Sequence, residues 1–219
     1  VFDVSHMGEF IVKGKEALDL IQSITTNDVS KLNIGQAQYS CMPNEQGGIV
    51  DDLLVYRLDE DQCAAGEKAY MLVVNAGNIE KDWNWVNSHN TFDTRVINIS
   101  DQTTLLAVQG PMATDTLQSL TDIRLNELAY YTFTKGKLAG VDNVLSRLQD
   151  IPDPVDMNCI LINIMQYPFG IKYLKPVPPT IYCLSGWVPV TPYDWKKDSA
   201  YMVMISTILL LHWQPDSDG

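Results

Sequence analysis

Asn44–Tyr56 reads N-E-Q-G-G-I-V-D-D-L-L-V-Y. The opening residues are turn-formers, with Gly47 and Gly48 free to take positive φ. An apolar run rich in β-branched residues follows, long enough for a strand buried on both faces. Asp51 and Asp52 interrupt it. Neighbouring strand residues point to opposite faces, so these two cannot act as a carboxylate pair on one ligand. A carboxylate on a buried strand is costly unless it is paired, hydrogen-bonded or facing a wet cavity. For an isolated D-D the default reading is one salt-bridged Asp and one at the sheet rim. The flanking sequence changes that balance.

Outward from this stretch the chain alternates strand and helix patterns. Val1–Met7 reads as a short strand leading into a turn, and Glu9–Lys13 as a second strand. From Gly14 the spacing becomes helical, with Ala17, Leu18, Leu20, Ile21 and Ile24 on one face. Gln38–Met42 and Gly47–Tyr56 form a hairpin about the Asn44–Gly48 turn. Tyr70–Asn75 is a strand, and Asn78–His89 a helix with Ile79, Trp83 and Val86 inward and Trp85 flanking. Thr94–Ile99 and Thr104–Gln109 are strands. Pro111 opens a helix where a missing N–H costs nothing, burying Ala113, Leu117 and Leu120. Tyr130–Thr134 and the stretch ending at Leu145 return to strand. Runs of strands broken by single helices predict an α+β fold, a largely antiparallel sheet with flanking helices.

The 219 residues carry a net charge of −12, which argues against nucleic acid and anionic membranes as partners. Cys41, Cys63, Cys159 and Cys183 form no C-x-x-C and lie near no histidine cluster. They read as free thiols of a reducing compartment, with no zinc site and no disulfide frame. The chain opens on strand-like V-F-D-V with no basic n-region, so the expectation is a cytoplasmic bacterial protein whose natural N-terminal segment is missing.

After Leu145 the texture changes. Residues 146–219 hold nine of the eleven prolines, three of the five tryptophans and no glutamate. Ala200–Trp213 is apolar but too short to span a membrane. The expectation is a folded unit over 1–145 and a poorly specified tail over 146–219.

Several strings in the first part carry a resemblance. They are F-D-V-S-H-M-G-E-F at Phe2–Phe10, T-N-D-V at Thr26–Val29, and Q-Y-S-C-M-P-N-E-Q-G-G-I-V-D-D-L at Gln38–Leu53. V-V-N-A-G-N-I-E-K-D at Val73–Asp82 and A-V-Q-G-P at Ala107–Pro111 complete them. In this order and spacing they resemble the T-protein of the glycine cleavage system, a tetrahydrofolate-dependent aminomethyltransferase. The resemblance implies a folate-binding α+β domain with tetrahydrofolate as co-substrate, and a lipoyl group carried by the partner H-protein. It assigns the catalytic carboxylate to Asp51, and the folate pocket to Met7, Tyr39, Asn75 and Tyr130 with Asp51. A desolvated carboxylate can steer a proton and stabilise developing iminium charge. An Asn amide both donates to and accepts from a pterin ring, and Tyr and Met supply apolar walls.

Each position also has a plain reading. Met7 and Tyr39 suit an ordinary core, and Asn75 a helix cap. Tyr130 belongs to a Tyr pair with no other mark. His6 is expected to make a structural hydrogen bond, and Asp52 to be structural. Other functional classes with this fold are a non-catalytic folate-binding relative of the iron–sulfur maintenance type, the folate module of a dimethylglycine or sarcosine oxidising enzyme, and an inert truncated product.

The family continues with a glycine-rich A-T-G-Y-T-G string and then G-A-R-D-T-L-R-L-E, neither of which stands in residues 146–219. Joining the last base of each codon to the first two of the next recovers them. Ser146–Cys159 then admits A-T-G-Y-T-G-S-G-G-Y-E-L, and Trp187–Tyr201 admits G-A-R-D-T-L-R-L-E-K-G-F-C-L. The expectation is a one-base shift near Asn143–Ser146, an unselected tail, and impaired folate binding and transfer.

Overall fold

The computed structural model describes residues 1–149 and 158–165. The Asn44–Gly48 turn forms as its composition requires. The Asn44 Oδ1 accepts from the backbone N–H of Gln46 at 3.1 Å and of Gly48 at 2.8 Å, an Asx-type turn. Gly47 alone takes the positive φ, at 80°. The turn joins β3 (Ala37–Pro43) to β4 (Ile49–Arg57), and Leu53–Arg57 of β4 is buried throughout.

Around this hairpin lies a five-stranded sheet in the order β3-β4-β5-β2-β6, with β2 at Gly8–Gly14, β5 at Lys68–Val74 and β6 at Thr94–Asn98. A second five-stranded sheet has the order β1-β7-β10-β9-β8. Its strands are β1 (Phe2–Asp3), β7 (Thr103–Gly110), β8 (Phe133–Leu138), β9 (Val141–Gln149) and β10 (Asn158–Met165). Every named pairing is antiparallel. The fold is α+β, as the pattern predicts, with two sheets where one was expected.

The sheets pack through a shared core of Met7, Leu54, Tyr56, Met71 and Val73 against Leu105, Ala107, Leu145 and Leu161. On the outer face of the first sheet, α1 (Ala17–Ile24) and α2 (Ile79–Ser88) cover Phe10, Val12, Leu53, Val55 and Leu72. On the outer face of the second, α3 (Ala113–Gln118) covers Val108, Val144, Ile160 and Ile162. Both helix faces on the first sheet match the sequence periodicity.

Several expectations shift. The third helix begins two residues after Pro111, and Leu120 is 48% exposed, because the helix ends at Gln118 and Leu120 falls in the following turn. Tyr130 and Tyr131 are turn, Thr132 makes an isolated bridge with Gln36, and the strand starts only at Phe133. Tyr131 sits at φ 56°, a conformation costly for a bulky residue. In it the Tyr131 carbonyl accepts from the Ala37 N–H at 2.7 Å while its own N–H donates to Leu148 O at 3.3 Å, so one residue stitches the two sheets. Strand β9 crosses the boundary expected at residue 145, and β10 comes wholly from beyond it. The remainder of the expected tail, with the Ala200–Trp213 block, lies outside the described residues.

Candidate functional site

Strand β4 pairs with β5 only from Leu53 onward. Asp51 and Asp52 therefore lie past the end of that ladder, at the rim of the sheet, where β4 is held by β3 alone. The strict alternation of the strand divides them. Asp51 falls on the side of Leu53 and Val55, toward the helices, and Asp52 on the side of Leu54 and Tyr56, toward the second sheet. As the sequence requires, they serve opposite faces.

Asn75, the residue directly after β5, bridges the two. Its Nδ2 donates to Asp51 Oδ1 at 3.0 Å and to Asp52 Oδ1 at 2.8 Å. Both partners are carboxylate oxygens, so the nitrogen of the amide must face them. Asn75 also stands where a cap would for the short helical turn Ala76–Asn78, yet its side chain makes no capping hydrogen bond. Its amide is committed to the two aspartates.

On the sheet side, the Tyr39 hydroxyl donates to Asp52 Oδ2 at 2.9 Å. Burial and then the hydrogen bond to Asp52 push the Tyr39 hydroxyl far above the usual phenol range; it stays a donor. Tyr39 is 38% exposed, and Asp52 is half-buried. Tyr39, Asp52 and Asn75 thus form a continuous polar line at an accessible rim. Met7 is buried in the core between the sheets, on the same side of the first sheet as Asp52.

On the helix side, Asp51 is 8% exposed. Its second oxygen accepts from Asn78 Nδ2 at 3.0 Å. Burial works to raise its pKa, but hydrogen bonds from Asp82, Asn75 and Asn78 outweigh this and hold it below the usual carboxylate range. Asp82 is fully buried, and burial, reinforced by the hydrogen bond to Asp51 and its charge, pushes its carboxyl up to about 8. Lys81 Nζ lies 3.9 Å from Asp82 Oδ1 and donates to Val50 O at 2.5 Å. Among the described residues no three His, Cys, Asp or Glu side chains gather closely enough to hold a metal ion.

Of the residues read from sequence, Tyr39, Asp51 and Asn75 come together, and Met7 lies beneath them in the core. Tyr130 does not join them: it is 56% exposed in the loop before β8, and no hydrogen bond links it to the cluster. His6, expected to make a structural hydrogen bond, makes no side-chain hydrogen bond among the described residues; it lies in the turn before β2, where partial burial lowers its pKa. Asp52, expected to be structural, holds both Tyr39 and Asn75. Asn78 and Asp82 are additions from the structure. Their i, i+4 spacing at the start of a helix places them on one face, a signal legible in N-I-E-K-D but silent about which partner that face meets. Cys41 and Cys63 are free thiols; Cys159 and Cys183 fall among positions whose side chains are not described.

Residues 1–149 match the GCVT N-terminal domain. An aminomethyltransferase of Bacteroides thetaiotaomicron is 59% identical over 145 residues, 66% of this chain and 38% of that protein. One of Flavobacterium psychrophilum is 56% identical over 144 residues, again 66% of this chain and 38% of the relative. Among solved structures, the glycine cleavage system aminomethyltransferase T of Bartonella henselae superposes with a TM-score of 0.62 at 29% identity, over 75% of this chain and 41% of its own. The chain thus spans 38% of the length of these curated relatives.

Proposed function

The chain belongs to the GCVT N-terminal domain family, and on that premise we propose that it is the folate-handling part of a glycine cleavage aminomethyltransferase. The aminomethyl group on the lipoyl arm of H-protein passes to tetrahydrofolate in the cytoplasm. Ammonia, methylene-tetrahydrofolate and reduced lipoyl protein are the products. The observation that carries this reading is the polar line Tyr39–Asp52–Asn75 at the open end of the first sheet. Among the described residues no helix is long and apolar enough to cross a membrane.

Within this reading the working carboxylate is Asp52 and the supporting one is Asp51. A buried carboxylate facing α2, with Asn75, Asn78 and Asp82 already on it, has no side left for a folate nitrogen. Asp52 shares its face with Tyr39 and the rim. Its carboxylate, oriented by two donors before any ligand arrives, steers a proton at the folate nitrogens and offsets iminium charge as the methylene moves. Tyr39 and Met7 wall the pterin, and the Asn75 carbonyl oxygen supplies an acceptor.

The strings that would complete the cavity, A-T-G-Y-T-G and G-A-R-D-T-L-R-L-E, do not stand in residues 146–219 in this frame. Half a cavity gives little preorganisation, so this chain transfers poorly and a frame-restored chain transfers well. Sequencing codons 140–150 and assaying the restored chain with aminomethyl-loaded H-protein and tetrahydrofolate tests both parts. In the restored chain Asp52→Asn lowers kcat/KM by roughly 10²-fold or more, whereas Asp51→Asn acts mainly on stability. Should Asp51→Asn strike turnover harder with the fold intact, the working carboxylate is Asp51. Should the restored chain transfer nothing, the enzymatic reading fails.

A further inference from the structure

The Asp82 side chain is 0% exposed, and no N–H or O–H donor reaches either of its oxygens among the described residues. What faces it is another acid: Asn78, one turn before Asp82 on the same face of the helix, donates to Asp51 Oδ2 at 3.0 Å, and Lys81 Nζ reaches both Asp82 Oδ1 and the Val50 carbonyl next to Asp51, so the two buried carboxyls lie against each other. Two carboxylates are acceptors only; such a contact is a hydrogen bond only if one of them carries a proton. We propose that Asp51 and Asp82 form a buried pair sharing one proton, held on Asp82, and that Asp82 is thereby a positioning residue for the site.

The remaining surroundings determine where that proton sits. Asn75 and Asn78 both donate to Asp51, which stabilises its charge. Asp82 lies in the first turn of α2, where the helix dipole favours an anion. That turn faces one shared negative charge. Among the described residues Lys81 is the cation paired with Asp82, and its 3.9 Å separation is too long for a hydrogen bond. Asp52 adds further negative charge from β4. A second charge on the pair would meet repulsion in a buried setting with no donor to spend on it.

The consequence reaches the rim through Asn75. One amide nitrogen serves Asp51 with one hydrogen and Asp52 with the other. A protonated Asp82 makes Asp51 a fixed single anion. That anion holds the Asn75 amide, which in turn orients Asp52. Loss of the proton above about pH 8 turns the pair into two facing anions and releases that restraint. The effect on catalysis rests on the reading of Asp52 given above; the shared proton does not.

The test is carboxyl carbon NMR of the full chain with labelled aspartate, titrated from pH 3 to pH 10. One resonance should titrate near neutrality or above, and Asp82→Asn should remove it. Asp51→Asn should move that midpoint down, because an amide partner no longer rewards the protonated form. An Asp82 that titrates in the ordinary carboxylate range overturns the proposal. So does a midpoint unmoved by Asp51→Asn, which would make Asp82 only a buried acid. If Asp51→Asn does not fold, Asp82→Asn against Asp82→Leu decides. Asn can donate to Asp51 and should keep Asp51 low, whereas Leu should let it rise; equal Asp51 titrations in the two variants overturn the proposal. None of these readouts requires folate or turnover, so a failed function and a failed pair are distinguishable.

Discussion

At the scale of single residues the molecule stores its acid–base behaviour in groups that burial has stripped of water. Glu9 in β2 is fully buried, and no donor reaches either oxygen among the described residues. Burial pushes its carboxyl up to about 8. The folded state therefore binds a proton that the unfolded chain has released, across the interval from the unfolded value of about 4.5 to about 8. Stability falls as pH rises through that interval. Glu9→Gln removes the liability: unfolding in urea at pH 8 should show a gain on the order of 2–4 kcal/mol that disappears by pH 4. Asn75→Ala acts oppositely. It strands Asp51 and Asp52 without their shared donor and should cost roughly 1–3 kcal/mol, read from the same denaturation curves.

At the scale of elements, close approach of backbone decides more than propensity. Gly14 ends β2 at φ 155°, and a Cβ there would meet the carbonyl oxygen of Asp93 and the Cα of Thr94. The chain can pass from β2 toward α1 beside β6 only with no side chain at this point. Gly14→Ala should therefore destabilise by about 1–3 kcal/mol, measurable as a lowered Tm. Strand β4 is legible from sequence because its apolar run resumes on both faces at Leu53–Tyr56 and its turn residues are specific. The strand expected from Tyr130 begins instead at Phe133. Aromatic, β-branched Y-Y-T-F-T has strand propensity, but the tertiary link from Tyr131 to Ala37 and Leu148 holds its first two residues in a turn.

At the scale of the whole molecule, the second sheet depends on a strand from beyond residue 145. Strand β10 pairs with β7 on one side and β9 on the other, and Ile160, Leu161 and Ile162 are buried. A chain cut after Gln149 leaves β7 and β9 with open edges in mid-sheet. It should lose cooperative unfolding by circular dichroism and gain early proteolytic cleavage in residues 103–149; a cut chain as stable as the full one would deny β10 its place. The sequence by itself determined the elements of the first sheet, the α+β class, the family and the opposition of Asp51 to Asp52, because periodicity, turn chemistry and strand alternation are local rules written in neighbouring residues. Only the tertiary structure decided that there are two sheets, that Asn75 joins both acids, that Asp82 stands behind Asp51, and that Asp52 holds the accessible face with Tyr39. Those are contacts between residues far apart in the chain, and which carboxylate is dry and which is wet depends on what packs over each.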